Sequence, residues 1–161
     1  MDPPTSAGDT VSSQLNYSNF EFAIIHLGIN DIGMMGDLTL DEAIQNYETY
    51  INMIVSKLRD SNRGIKIFLA TIIPSYAYKG NTAYETLNSK IKSIAESAED
   101  IYLMDINKYS ACATNPAYNR IHPTAIGYHK FASEIASYIS YIIAHNLDSF
   151  EAIQFIGTDY D

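Results

Sequence analysis

Short apolar runs alternate along the chain with longer segments of helical periodicity, and this alternation constrains the fold more than any other feature. The runs over residues 20–27, 65–73 and 101–106 are almost continuously apolar and rich in β-branched or aromatic residues. Such runs are typical of strands buried on both faces, as in a parallel sheet covered by helices. The sequence therefore predicts an α/β fold whose strands are joined by right-handed crossovers.

Helix boundaries are marked by local signals. Thr39–Glu42 and Thr82–Glu85 both have the capping-box pattern Thr-x-x-Glu. Asn62–Gly64 ends the first of these helices, with Gly64 suited to a left-handed cap, and Pro123 is predicted in the first turn of the last helix. The residues predicted to face the core are Ile44, Tyr47, Ile51, Ile54, Val55 and Leu58, then Tyr84, Leu87, Ile91, Ile94 and Ala98, then Tyr128, Phe131, Ile135, Ile139 and Ile142.

Length and charge limit the classes of protein. The 161 residues suit one domain, predicted over residues 1–146, followed by an acidic tail over 147–161. The formal net charge of −9 argues against a nucleic-acid partner, and no apolar run is long enough to span a membrane. The first ten residues lack the basic and apolar parts of a signal peptide, so the sequence does not specify a compartment.

The lone cysteine, Cys112, has no partner for an internal disulfide and no metal ligands at a recognisable spacing. The sequence therefore predicts neither a disulfide framework nor a metal site.

Polar residues follow the predicted strands where ligands bind in parallel α/β sheets, at the carboxyl ends. Asn30 follows the first strand in Gly28-Ile-Asn-Asp31, and His122 lies in the loop after the third. The amide of Asn30 could donate hydrogen bonds to a developing oxyanion, or the Asn-Asp pair could simply close the strand. Topology brings Asn30 and His122 to the same edge of the sheet.

Histidine at position 122 suits a general base, because the following proline holds it in place while it stays accessible. The alternative is a capping or surface histidine, which is how we interpret His26, His129 and His145. A third candidate is Gly8, whose backbone N–H could be a second oxyanion donor. Its segment could equally be a polar terminus without a role in the site.

The order of these signals resembles the SGNH, or GDSL-type, hydrolase family. "SAGDTVSSQL" followed by "FAIIHLGIND" is similar to that family's second block running into its third, and "NRIHP" is similar to its last block. The resemblance extends from about Gly8 to near Ala144. It implies a flavodoxin-like three-layer α/β/α sandwich that hydrolyses carboxylic esters through a serine, without a metal or organic cofactor.

The resemblance also implies roles for particular residues. Gly8 and Asn30 match the oxyanion donors, Asp31 matches the structural neighbour of the asparagine, and His122 matches the general base. Asn119 stands where the family usually has the aspartate that orients the imidazole. An amide can accept a hydrogen bond there but supplies no negative charge, and in triad enzymes an acid-to-amide change lowers the rate by roughly 10⁴.

The family's first block, Gly-Asp-Ser after a strand, has no counterpart in the chain. Gly8-Asp9-Thr10 follows no strand, so Thr10 is not the expected nucleophile, and the sheet is expected to lack its first strand. That would leave residues 20–27 as an apolar edge. Either the chain is a piece of a longer polypeptide, or the edge is covered by a second copy, a partner chain or Ala152–Ile156. The serines near the predicted edge and glycine turn are weaker nucleophile candidates: Ser12, Ser13, Ser75 and Ser110.

Three functions are compatible with these observations. The first is an ester hydrolase domain, incomplete in this chain because the segment with the serine is missing, that acts on a small acyl ester or an acetylated carbohydrate. The second is an inactive pseudo-hydrolase that serves as a binding or structural module. The third, an unrelated nucleotide-binding or response-regulator-like domain, is disfavoured because no glycine-rich phosphate loop follows a strand.

Overall fold

The structure, a computed structural model, describes residues 20–73, 81–109 and 122–150. The elements in chain order are β1 (Phe22–Ile25), α1 (Ile29–Gly33), α2 (Leu40–Ser61), β2 (Lys66–Ala70), α3 (Thr82–Ser97), β3 (Ile101–Met104), α4 (Ile106–Tyr109), α5 (Ala125–His145) and a 3₁₀ turn over Leu147–Ser149.

The strands form a parallel sheet in the order β1-β2-β3, which confirms the predicted α/β class. Side chains of α2 and α3 pack with one face of the sheet in one apolar cluster, and those of α5 pack with the other face in a second cluster. The central strand is apolar on both faces because both are covered: Phe68 and Leu69 are fully buried in opposite clusters. This is the three-layer arrangement of a flavodoxin-like fold.

Within the described ranges, β1 pairs only with β2 and is an edge strand. Its Phe22 packs edge-on against Phe68, on the side where α5 lies. Ile24 points to the same side because side chains alternate along a strand, yet it is 42% exposed. Phe20 and Leu27, at the two ends of β1, are exposed as well. The apolar surface of β1 is thus incompletely covered, and what covers it in solution stays a prediction.

The helix α2 begins as predicted and ends differently. The Thr39 backbone N–H donates to Glu42 Oε2 (2.8 Å) and the Glu42 N–H donates to Thr39 Oγ1 (3.3 Å), which completes the capping box. The Thr39 backbone N–H and the Thr39 hydroxyl both donate to the Glu42 carboxylate, and these two bonds lower the pKa of Glu42. The left-handed cap at Gly64 is wrong: Asn62 ends the helix in an extended conformation, and its Oδ1 accepts from the Gly64 N–H (3.0 Å).

Two other helix starts lie close to their predicted positions. Asn81, not Thr82, caps α3, because its side chain accepts from the Ala83 N–H (2.9 Å). Thr124 caps α5 by accepting from the Gly127 N–H (3.3 Å), so Pro123 precedes the helix instead of lying in its first turn. In both helices a side chain that caps well, Asn81 or Thr124, lies next to the residue on which the predicted start was based.

The predicted core residues of α2 and α3 are buried or partly buried. In α5, Ile142 is buried and Phe131, Ile135 and Ile139 are partly buried, but Tyr128 is 59% exposed, so its predicted burial is wrong. Only one face of α5 is covered in the described part of the chain, and Tyr128 lies at the margin of that face.

Candidate active site

A cavity of about 440 Å³ opens at the carboxyl ends of β1 and β2, beside the first half of α5. It is bounded by the residues that follow the two strands, by the residues before α5 and by one side of α5. Its described lining comprises His26, Leu27, Ile29, Ile72, Ile73, His122, Pro123, Tyr128, Phe131, Ala132 and Ile135. The cavity therefore lies where ligands bind in parallel α/β sheets.

The approach to α5 positions His122. Its Pro123 neighbour has a fixed φ, and Thr124 is tied to the first turn of the helix by its cap. His122 lines the cavity and remains exposed. An accessible imidazole on a stiff segment at the end of an apolar cavity is suited to accept and return a proton.

A glycine makes the turn from β1 into α1. Gly28 has φ 123°, and a Cβ at this position would lie 2.8 Å from Leu87 Cδ2 and 2.9 Å from Tyr47 Cε2. Any other residue would combine backbone strain with a clash against two buried side chains. The glycine thus lets α1 begin in contact with α2 and α3, at the carboxyl end of the sheet.

Asn30 lies in the first turn of α1 and is exposed. The structure brings the preceding residue, Ile29, to the cavity wall together with His122, whereas Asn30 itself does not line the cavity. The two predicted residues are therefore at the same end of the sheet. That the Asn30 amide and the His122 imidazole act on one substrate stays a prediction.

The predicted neighbour Asp31 is also exposed in the first turn of α1, where a negative charge is favourable. Beneath it lies Tyr47, 2% exposed. Burial, and secondarily the charge of Asp31, raise the pKa of Tyr47 well above its usual range. The charge of Asp31 thus acts on the buried hydroxyl of Tyr47. That Asp31 is the structural neighbour of Asn30 in the site stays a prediction.

One wall of the cavity is held by a buried amide. Asn88 of α3 is 5% exposed; its Oδ1 accepts from the Ile72 N–H (2.8 Å) and its Nδ2 donates to the Ile72 carbonyl (2.9 Å). Ile72 lies beyond the end of β2, where no neighbouring strand bonds its backbone, and the Asn88 amide takes the place of that strand. The Ile72 N–H and carbonyl are therefore both hydrogen-bonded. The Ile72 side chain lines the cavity.

A second polar network fastens the same end of β2 to β3 and α5. Thr71 Oγ1 donates to Asp105 Oδ1 (3.2 Å) and accepts from the Asn107 N–H (3.0 Å). The Tyr138 hydroxyl donates to the Asp105 carbonyl (2.9 Å), and Lys92 Nζ lies 2.6 Å from Asp105 Oδ2. These contacts make the carboxyl edge a rigid base for the cavity.

His26 is a cavity residue that the sequence did not predict. It is interpreted above as a capping or surface histidine without a role in the site, and it lies inside the predicted strand over residues 20–27. In the structure β1 ends at Ile25, and His26 is exposed and lines the cavity. Surrounding protein atoms exclude part of the water from the ring, and this desolvation lowers the pKa of His26. The sequence pattern that could have identified His26 as a site residue is the one used for Asn30: a polar residue at the end of an apolar strand.

Several predicted residues lie outside the described ranges. They are Gly8, Asn119, Thr10, Cys112, the serines Ser12, Ser13, Ser75 and Ser110, and the segment Ala152–Ile156. Among the residues that are described, no three His, Cys, Asp or Glu side chains are grouped to hold a metal ion. No helix in that part of the chain is long and apolar enough to cross a membrane.

A model of the GDSL-like lipase/acylhydrolase family matches residues 5–130. The chain belongs to this family. No curated protein matches this chain. The matched range contains Gly8, Asn30, Asn119 and His122, the positions on which the resemblance in the sequence rests.

Proposed function

We propose that the chain is an ester hydrolase domain whose reaction takes place at the cavity beside His122. The observation that supports this most is the position of His122, an exposed imidazole at the apolar cavity at the carboxyl end of the sheet. In a member of an acylhydrolase family, that is where an acyl-transfer base is expected.

The proposed chemistry is acyl transfer through a serine, for which Ser12, Ser13, Ser75 and Ser110 are the candidates in this sequence. His122 takes the proton from the serine hydroxyl as its oxygen attacks the ester carbonyl, and the Asn30 amide and the Gly8 N–H stabilise the oxyanion that forms. His122 then returns the proton to the leaving alcohol. Water, activated by the same imidazole, attacks the acyl-serine; the carboxylic acid leaves and the serine regains its proton. Asn119 accepts a hydrogen bond from the imidazole and orients it.

The substrate class is a small acyl ester, with acetyl groups on carbohydrate as one candidate. The full chain is expected to release p-nitrophenol from p-nitrophenyl acetate over many turnovers, measured by absorbance against the same chain inactivated by heat. A rate equal to that of the inactivated chain would contradict the proposal.

A second candidate is a pseudo-hydrolase that binds without catalysing. It is favoured by Asn119, which stands where the family usually has an acid. This candidate predicts no turnover of p-nitrophenyl acetate, together with retained binding of ligands in the cavity.

A further inference from the structure

A second cavity, of about 600 Å³, lies along the middle of α5. Its described lining, here called the α5 groove, comes from that helix alone and comprises Ser133, Glu134, Ser137, Tyr138 and Tyr141. The described linings of this cavity and of the cavity beside His122 have no residue in common. The α5 groove is therefore a feature separate from the candidate active site.

The carboxylate of Glu134 has one oxygen that is buried without a donor. Glu134 as a whole is half-buried, but its Oε2 is shielded from solvent and accepts no hydrogen bond from any residue that the structure describes. Desolvation raises the pKa of Glu134, and the charge of Lys130, four residues earlier, only partly offsets this. A buried acceptor without a donor costs free energy, so a donor from outside the described chain is expected here.

The hydroxyl groups beside Glu134 donate their hydrogens to backbone carbonyls. Ser133 Oγ and Ser137 Oγ each donate to the carbonyl four residues earlier in α5 (3.0 and 2.8 Å). The Tyr138 hydroxyl donates to the Asp105 carbonyl (2.9 Å). A hydroxyl has a single hydrogen, so toward a ligand these three oxygens can only accept. The α5 groove thus combines a carboxylate with hydroxyls that act as acceptors.

The remaining surface of the α5 groove is aromatic. Tyr138 and Tyr141 both line it, and the Tyr141 ring stacks on the His145 ring with centroids 3.9 Å apart, which restricts its position. Aromatic rings attract cations and also pack against alkyl carbons. The net charge of −9 favours the approach of a cation as well. The groove is therefore suited to a ligand that has positively charged N–H donors together with aliphatic carbon.

We propose that the α5 groove binds a small primary alkylamine in its ammonium form. For the three N–H donors of the ammonium the groove offers Glu134 Oε2, Ser133 Oγ and Ser137 Oγ, and the alkyl carbons pack on the tyrosine rings. This site lies apart from the cavity beside His122, so the proposal goes beyond the proposed function and does not depend on hydrolysis.

The test titrates the ¹⁵N-labelled full chain with n-butylammonium chloride and follows the amide resonances by NMR. Tetramethylammonium chloride, 1-butanol and sodium butyrate are compared at the same ionic strength and pH 7. We expect n-butylammonium to shift the resonances of residues 133–141 saturably and the other three probes to bind at least about tenfold more weakly, because none of them has a charged N–H donor. Butanol or butyrate binding as tightly would overturn the proposal, as would the lack of a saturable shift at these residues. Tetramethylammonium binding as tightly would show that charge alone is recognised, which contradicts the assignment of the three acceptors.

Two glutamates offer a matched pair of variants. Glu134→Gln keeps the size of the side chain but removes its charge, and it is expected to weaken n-butylammonium binding at least about tenfold. Glu96→Gln removes the same charge from an exposed position on α3 and is expected to change binding by less than twofold. Ser137→Trp, which fills the groove from an exposed position, is the second variant and is expected to abolish binding. Circular dichroism checks the fold of each variant, and equal binding by all of them would refute the site.

Discussion

His122→Ala is expected to lower the rate of ester hydrolysis by about 10²–10⁴-fold, the range attributed to a positioned general base. The imidazole accepts the proton of the nucleophile and returns it to the leaving group, and no other described residue of the cavity except His26 has a group that could replace it near pH 7. The measurement is kcat/KM for p-nitrophenyl acetate, with circular dichroism to show that the fold is retained.

His129→Ala is the matched control, because His129 is an exposed histidine on α5 that does not line the cavity. It is expected to change kcat/KM by less than twofold. A His122→Ala protein with the rate of the unmodified chain would remove His122 from the mechanism. If His26→Ala instead abolished turnover, the base would have been assigned to the wrong histidine.

Asn88→Ala is expected to lower the free energy of unfolding by about 4 kcal/mol. The substitution leaves the N–H and the carbonyl of Ile72 buried without their hydrogen-bond partners, and each unsatisfied group costs roughly 1–3 kcal/mol. Removing the amide also leaves a void beside Ile72, which is 2% exposed. The measurement is equilibrium unfolding in urea.

Asn52→Ala is the control for Asn88→Ala, since Asn52 is an exposed asparagine inside a helix, on α2. Its free energy of unfolding is expected to change by less than about 0.5 kcal/mol. If Asn88→Ala cost no more than Asn52→Ala, the amide would not support the backbone that forms the cavity wall.

The layers of the fold could be predicted because their signals are local and repeated. Continuous apolar runs gave the three parallel strands, and helical spacing gave the buried faces of α2 and α3. Helix termini were less predictable, because several neighbouring residues can begin a helix. Asn81 caps α3 in place of Thr82, and Thr124 caps α5 so that Pro123 lies before the helix. Tyr128 could not be placed because its burial depends on what lies beside α5, not on its own helix.

The site could be predicted in part. Strand order brings the carboxyl ends of β1 and β2 and the start of α5 together, and this was enough to place His122. The helix α1 was missed because it begins at a glycine with φ 123° that packs against Leu87 and Tyr47, which are distant in sequence. His26 was missed because the end of β1 lies two residues earlier than the apolar pattern indicates.

Labelling of the full chain with a serine-directed phosphonate tests the central claim most directly, because it reports an activated serine next to a working base. The account predicts one covalent adduct, mapped by peptide mass spectrometry to a single serine, that His122→Ala suppresses and His129→Ala does not. An unlabelled chain, or an adduct that forms equally well in His122→Ala, would contradict it.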